Sequence, residues 1–240
     1  MNKIQTIYKT LHKTYGPQGW WPLSKNSLYS KHHNGPPKSN RDVFEIIVGA
    51  ILTQNTTWKN VEKTITLLNK NKLMDPKNIL AIPEKTLAKI IRSSGYYNQK
   101  AIKLKIIAKF LYHTKFYNLL QLSTNDLRNI LLKIKGIGPE TADSIVLYAF
   151  EKPIFVVDAY TKRIFSRLGL INENNNYDEV QQFFHKHLRK NLKVYKEYHA
   201  LIVKHAKMYC HKKPLCKECI LRKNCKYYAD IKQNYKESYS

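Results

Sequence analysis

Apolar residues recur along this chain at helical spacing, with polar breaks between the stripes. Ile4, Ile7, Tyr8 and Leu11 predict a first helix over residues 2–15. Gly16-Pro-Gln-Gly19 ends it, Trp20-Trp21-Pro22 follows, and the Asn-, Gly-, Pro- and Lys-rich segment from Ser30 to Asn40 reads as a loop. Ser39 with Asp42 makes a helix start, and Val43, Ile46, Ile47, Ala50 and Ile51 form the stripe of a helix over 42–54. Further helices are predicted over 58–72, 76–81 and, opened by Pro83, 84–92. Gly95-Tyr-Tyr-Asn-Gln-Lys100 is a turn leading into a basic helix that reaches His113. Ser123 and Asp126 have capping-box spacing and open the next helix.

The stretch from Leu131 to Val146 reads as two short helices joined by a tight hairpin. Gly136 and Gly138 offer backbone angles closed to other residues, and Pro139 suits the first position of a new helix with Glu140 in its first turn. After Phe150 the β-prone run Lys152-Pro-Ile-Phe-Val-Val157 reads as an extended linker. Asp158 then starts a helix ending near Gly169, Asn172 to Asn176 is a loop, and helices are predicted over 177–190 and 195–209. The tail beyond Cys225 is polar and expected to fray. No stretch shows the strand–helix alternation of an α/β fold, so the expected class is all-α.

Length and charge narrow the function. The 240 residues allow one large or two small domains. Lys and Arg number 42 against 17 Asp and Glu, a net charge of +25. Such an excess attracts a polyanion, nucleic acid first, although a Lys- and Asn-rich genome inflates Lys too. The longest apolar run, Ile46 to Leu52, is far short of a membrane span, and Met1 to Tyr8 lacks the apolar block of a signal peptide. A cytoplasmic, nucleoid-associated protein with no membrane partner is expected. All four cysteines lie in Cys210-x5-Cys216-x2-Cys219-x5-Cys225, and in a reducing compartment that clustering speaks for a metal site. Zinc sites commonly use two Cys-x2-Cys knuckles. One such pair flanked by single cysteines is closer to the wrapping of a [4Fe–4S] cluster, and zinc stays the alternative on spacing alone. Lys212, Lys213, Lys217, Arg222, Lys223 and Lys226 surround the cysteines, as a collar for phosphates or as a solvated loop.

Two further features carry chemistry. A Gly-x-Gly turn opening a helix exposes backbone N–H groups that can cradle a phosphate, or it is an ordinary packing corner. Asp158 is a carboxylate in an apolar setting, after Val156-Val157 and before Ala159-Tyr160. Capping a helix is its ordinary task. A capping carboxylate stays ionised, which also suits it to stabilise a cationic transition state or orient water.

Leu-x-x-x-Gly136-Ile-Gly138-x-x-Thr141-Ala142, then Val156-Val-Asp158-Ala-Tyr-x-x-Arg163, then the four-cysteine loop together resemble the helix-hairpin-helix DNA glycosylases of the endonuclease III family. The resemblance covers residues 40–228 and adds weight to the iron–sulfur reading. It implies two helical domains with the active site in the cleft between them. Residues 41–150 would form a helical barrel with the helix-hairpin-helix, residues 1–40 and 151–228 a domain of N- and C-terminal helices carrying the [4Fe–4S] loop, and 229–240 a tail.

The same resemblance implies roles. Asp158 is the catalytic carboxylate, and Cys210, Cys216, Cys219 and Cys225 are the cluster ligands. Thr53-Gln54-Asn55-Thr56 resembles the motif whose Gln enters the duplex where a base is flipped out, and Gly95 to Lys100 the backbone-contacting loop, with Gly136 and Gly138 on DNA as well. Where the family's bifunctional lyases carry a Schiff-base lysine, two positions after the second hairpin glycine, this chain has Glu140. A carboxylate cannot be that nucleophile, so a monofunctional glycosylase is expected. Trp20-Trp21-Pro22, Phe44-Glu45 and Lys207 resemble the branch that excises 3-methyladenine, which makes Trp20, Trp21, Phe44 and Lys207 base-pocket candidates. The expected protein is therefore a monomeric base excision repair hydrolase acting on double-stranded DNA that contains an alkylated purine. The alternatives are a mismatch or oxidised-base glycosylase/lyase, and a non-catalytic DNA-binding iron–sulfur module.

Overall fold

The structure, a computed structural model, describes residues 2–25, 28–29 and 35–237, with side chains over 2–24 and 35–233. Most of the described chain is helical. Its only extended pairing is two residues long on each side, Ser24–Lys25 against Leu28–Tyr29. Residues 30–34 of the expected Ser30–Asn40 loop lie outside the described residues. The backbone packs as two units, Gly19–Ile154 and Met1–Gln18 with Phe155–Ser240. The described residues between Gly19 and Asn40, grouped above with the termini, cluster instead with the middle of the chain. The physical reason is Trp21, whose indole lies on α2 (Asn40–Leu52) at Gly49: a Cβ there would sit 2.9 Å from the ring.

In the middle unit α2 is the core element. Every residue from Val43 to Leu52 is buried, so the helix carries no polar face. Removing a large side chain such as Ile47 there would destabilise by roughly 2–5 kcal/mol. Ser39 caps the helix by accepting from Asp42 N–H. Its buried Glu45 accepts from Ser24 N–H at 2.6 Å and from the Ser24 hydroxyl, with Arg41 at 3.4 Å, and so ties the segment after the tryptophans to α2. Around it run α3 (Trp58–Lys70), α4 (Pro76–Ala81), α5 (Glu84–Ile90), α6 (Tyr97–Thr114), α7 (Phe116–Gln121), α8 (Thr124–Leu132) and α9 (Pro139–Ser144). α4 and α5 pack on α6, and α2 packs on the wide turn Ile145–Ala149 that continues α9.

The terminal unit holds α1 (Lys3–Tyr15), α10 (Ala159–Arg167), α11 (Tyr177–His187), α12 (Leu192–Met208) and α13 (Lys226–Glu237). Phe155 stacks on Phe184 at 4.0 Å, edge-on to Tyr195 and Tyr198. The Lys152–Val157 run is extended and forms no strand. Side chains from α11 satisfy its backbone: His185 Nε2 accepts from Phe155 N–H at 3.0 Å and Gln181 donates to Phe155 O at 2.7 Å.

Two elements depart from expectation. α7 was not anticipated; Lys115, with φ +61°, breaks α6 and restarts the chain as a second helix that buries Phe116 and Leu119. The tail beyond Cys225 is helical, because Tyr227 lies under the Arg167 guanidinium at 4.8 Å and the chain turns on from Cys225. Among the described residues no helix is long and apolar enough to cross a membrane.

Candidate active site and nucleic-acid interface

The hairpin forms as its glycines predict, but the two do different work. Gly136 has φ +91°, in the region that favours glycine. Gly138 has φ −92° and ψ 177°, ordinary extended backbone, and a Cβ there would meet nothing within 4 Å. The conformational argument for Gly138 is therefore corrected: what its hydrogen side chain provides is open space. Gly138, Pro139 and Glu140 are exposed, and no side chain caps α9. Buried Ile134 and Ile137 anchor the turn from below.

Gln54 follows α2 in a turn made possible by Asn55 at φ +53°. Its carboxamide is tied to the hairpin. Nε2 donates to Thr141 Oγ1 at 2.9 Å and to Gly136 O at 3.4 Å, while Oε1 accepts from Lys103 Nζ at 2.5 Å. Lys100 stands differently. Its side chain is 2 % exposed, and Nζ donates to Leu52 O at 2.8 Å and Ser94 O at 2.7 Å. Burial and the neighbouring Lys103 charge pull it down to about 8. The expected DNA contact through this ammonium is corrected: Lys100 satisfies the carbonyl ends of α2 and of the turn before α6.

Trp20, Trp21 and Trp58 form a mutual edge-to-face cluster with centroids 4.6–5.4 Å apart, and Tyr148 adds a face to Trp21 at 5.4 Å. Trp21 is buried and Trp20 half-buried. Phe44 belongs to the same unit but is fully buried on α2, so its ring is a core side chain here. Lys207 is exposed on α12 of the terminal unit.

Asp158 caps α10. Oδ1 accepts from Thr161 N–H at 2.7 Å and from the Thr161 hydroxyl at 2.8 Å, and Oδ2 lies 3.5 Å from His199 Nε2. Burial pushes its pKa up, but the His199 and Thr161 donors outweigh burial, and the carboxyl sits below its ordinary value. It is therefore an anion held in a low-dielectric setting. Neither Thr161 nor His199 was singled out from the sequence. Thr161 carries a legible signal, three residues after a cap; His199 lies forty-one residues away on another helix and carries none.

The far end of α10 holds the cysteine loop. Arg163 Nε donates to Cys210 O at 2.9 Å, and Arg167 Nη1 donates to Cys210 Sγ at 3.2 Å and His211 O at 2.6 Å. Cys219 Sγ lies 3.5 Å from Nε2 of His205, whose Nδ1 is 2.8 Å from the Tyr15 hydroxyl. Burial holds His205 down at about 4, so the ring is neutral. None of the four cysteines is in a disulfide. Burial pushes Cys219 up to about 11, and each of the other three thiols adds to the rise. Cys216 and Cys225 are raised by burial and by neighbouring thiols in the same way. The four cysteines lie near enough to act on one another's titration, and Arg167 donates to one of them, but among the described residues no group of three or more His, Cys, Asp or Glu is placed to hold a metal ion.

Comparisons with known proteins identify the family to which these residues belong. Residues 48–190 match the model of the HhH-GPD superfamily base excision DNA repair proteins. A Methanocaldococcus jannaschii protein assigned as a DNA repair glycosylase is 46 % identical over 227 residues, 92 % of this chain and 95 % of its own length. The solved 3-methyladenine DNA glycosylase MagIII of H. pylori, bound to 1,N6-ethenoadenine, is 31 % identical with a TM-score of 0.68, covering 86 % of this chain and 98 % of that one. A trapped endonuclease III–DNA covalent intermediate shares the fold, with a TM-score of 0.76 at 22 % identity over 96 % of this chain and 99 % of that one. The chain belongs to the HhH-GPD superfamily, with the endonuclease III-like helical fold. It is a DNA glycosylase of base excision repair.

Proposed function

We propose that this glycosylase is monofunctional and hydrolyses the N-glycosidic bond of alkylated purines, 3-methyladenine foremost, in double-stranded DNA. The observation that carries this reading is the ionised Asp158 cap in a chain with Glu140 where the lyases of the family place their nucleophilic lysine. The likeness to MagIII supports the choice of base.

A methylated adenine carries positive charge and is already a good leaving group. The base departs with the bonding electrons, and the sugar becomes cationic. Asp158 stabilises that cation electrostatically and orients the water that attacks it, so the product is an intact abasic strand. Half-buried Trp20 offers an aromatic face that favours a cationic base, while Trp21, buried against Gly49 and Tyr148, backs it as core rather than touching the base. Gln54 fills the gap in the duplex, and the hairpin at Gly136 to Gly138 takes the backbone. The working species is a monomer.

Cys210, Cys216, Cys219 and Cys225 would hold a [4Fe–4S] cluster. When bound, such a cluster supplies a rigid tie for the basic loop together with one-electron capacity. The sugar chemistry needs neither.

The test is single-turnover excision on duplexes each carrying one damaged base, with and without alkali, plus borohydride. Fast release of 3-methyladenine, strand breaks only after alkali and no trapped protein–DNA adduct are expected. Preference for an oxidised pyrimidine would overturn the choice of base, and efficient trapping would show a lyase working through another lysine.

A further inference from the structure

Lys103 was not singled out by any motif, yet three features of the fold converge on it. First, its ammonium ends on Gln54 Oε1 at 2.5 Å, a neutral amide, in a chain of net charge +25. Second, the hairpin is shaped around its stem. A Cβ on Gly136 would lie 2.8 Å from Lys103 Cγ, 2.9 Å from Cε and 3.0 Å from Cδ, so the lysine crosses the turn where any other residue would carry a side chain. Third, the same carboxamide is held from its other end by Thr141 Oγ1 and Gly136 O. Gln54 thus has donors and acceptors fixed by α6, the hairpin and α9, with the oxygen turned to Lys103 and the amino group to Thr141.

We propose that Lys103 is a positioning residue for Gln54: it fixes the direction and rotamer of the carboxamide at the hairpin before DNA arrives. A free glutamine must surrender its rotamers on entering a duplex; one already ordered in the folded protein loses little more, so binding of a flipped state is tighter. The charged donor also polarises the amide and strengthens its N–H groups as donors. This role presupposes the proposed insertion of Gln54 into the duplex. The competing use of a half-buried lysine beside this turn is a direct phosphate contact, which makes different predictions.

The experiment uses the full chain and a duplex with a stable abasic-site analogue opposite 2-aminopurine, whose fluorescence reports what fills the gap whatever lesion the enzyme prefers. Affinity, fluorescence change and salt slope are measured for Lys103→Met, Lys103→Arg, Gln54→Ala and Lys103→Met/Gln54→Ala, with thermal unfolding as the control for folding. Lys103→Met is expected to weaken binding about tenfold and blunt the fluorescence change, within the coupling range of contacting pairs. Lys103→Arg should restore most of the loss. In the Gln54→Ala background Lys103→Met should change affinity less than twofold, and the salt slope should stay constant. Thr141→Val, which removes the opposite tether, should reproduce the pattern if Lys103→Met folds poorly. An equal loss in both backgrounds, with a slope shallower by about 0.9, would overturn the proposal in favour of a phosphate contact. A Gln54→Ala variant that binds and reports like the parent would instead remove the insertion role of Gln54, and the positioning role with it.

Discussion

At the scale of single residues, two side chains of opposite charge do work that their neighbours define. Asp158→Asn keeps the Oδ1 acceptor for Thr161 and removes the charge facing His199. Excision should slow by about 10²-fold or more, measured in single turnover, while affinity for an abasic analogue changes far less. Because its folded pKa is depressed, the ionised carboxylate stabilises the fold above the unfolded value near 3.9, and that contribution is lost as pH falls through the folded value. The difference in unfolding temperature between parent and Asp158→Asn should therefore shrink as pH falls below about 4. Lys100→Met should act on stability. It leaves Leu52 O and Ser94 O without their buried donor, which amounts to about 2–4 kcal/mol and roughly 5–15 °C in thermal unfolding. The salt slope of DNA binding should not move. A slope shallower by about one would return Lys100 to the interface.

At the scale of elements, the hairpin separates folding from binding. Gly136→Ala forces a side chain into positive φ and into the Lys103 stem, so a loss of about 1–2 kcal/mol is expected by denaturant unfolding. Gly138→Ala meets nothing within 4 Å, so its stability should equal the parent's. If DNA backbone approaches this turn, the added methyl should weaken all duplexes alike by about tenfold, in the manner of a phosphate contact that reads no base. Loss of stability without loss of affinity at Gly138 would mean that the turn only packs. α10 is the second element with two ends: Asp158 caps its start, and Arg163 and Arg167 grip the cysteine loop at its end. The purified protein should carry about four irons held by four thiolates and be yellow-brown. Cys216→Ser or chelation should loosen this loop and lower DNA affinity more than the chemical step. Stoichiometric zinc without iron after anaerobic purification would refute the cluster.

At the scale of the whole molecule, charge sets affinity for undamaged DNA. If about six phosphates are neutralised, log affinity should fall against log salt with a slope of roughly −5. A slope near zero would assign the +25 charge to some other use. The exposed lysines of the cysteine loop, Lys212, Lys213, Lys217 and Lys223 among them, stand ready to contribute.

The all-α class, most helix positions and the hairpin were legible in the sequence, because helical periodicity, caps and glycine or proline punctuation are local signals. The Asp158 cap and the cysteine loop were legible too, since their residues lie close together in the chain. Local signals failed where a partner arrives from afar. α13 looked like a frayed tail until Arg167 covered Tyr227. Lys100 looked like a DNA contact until Leu52 and Ser94 claimed its ammonium. Phe44 read as pocket and is core, because α2 is buried on every face and no periodic stripe reports that. The tether of Gln54 by Lys103 and the pairing of Asp158 with His199 join residues 49 and 41 positions apart. Sequence determined which chemical groups exist and which helix carries each; only tertiary packing decided which of them are exposed, which are held, and which are spent on the fold.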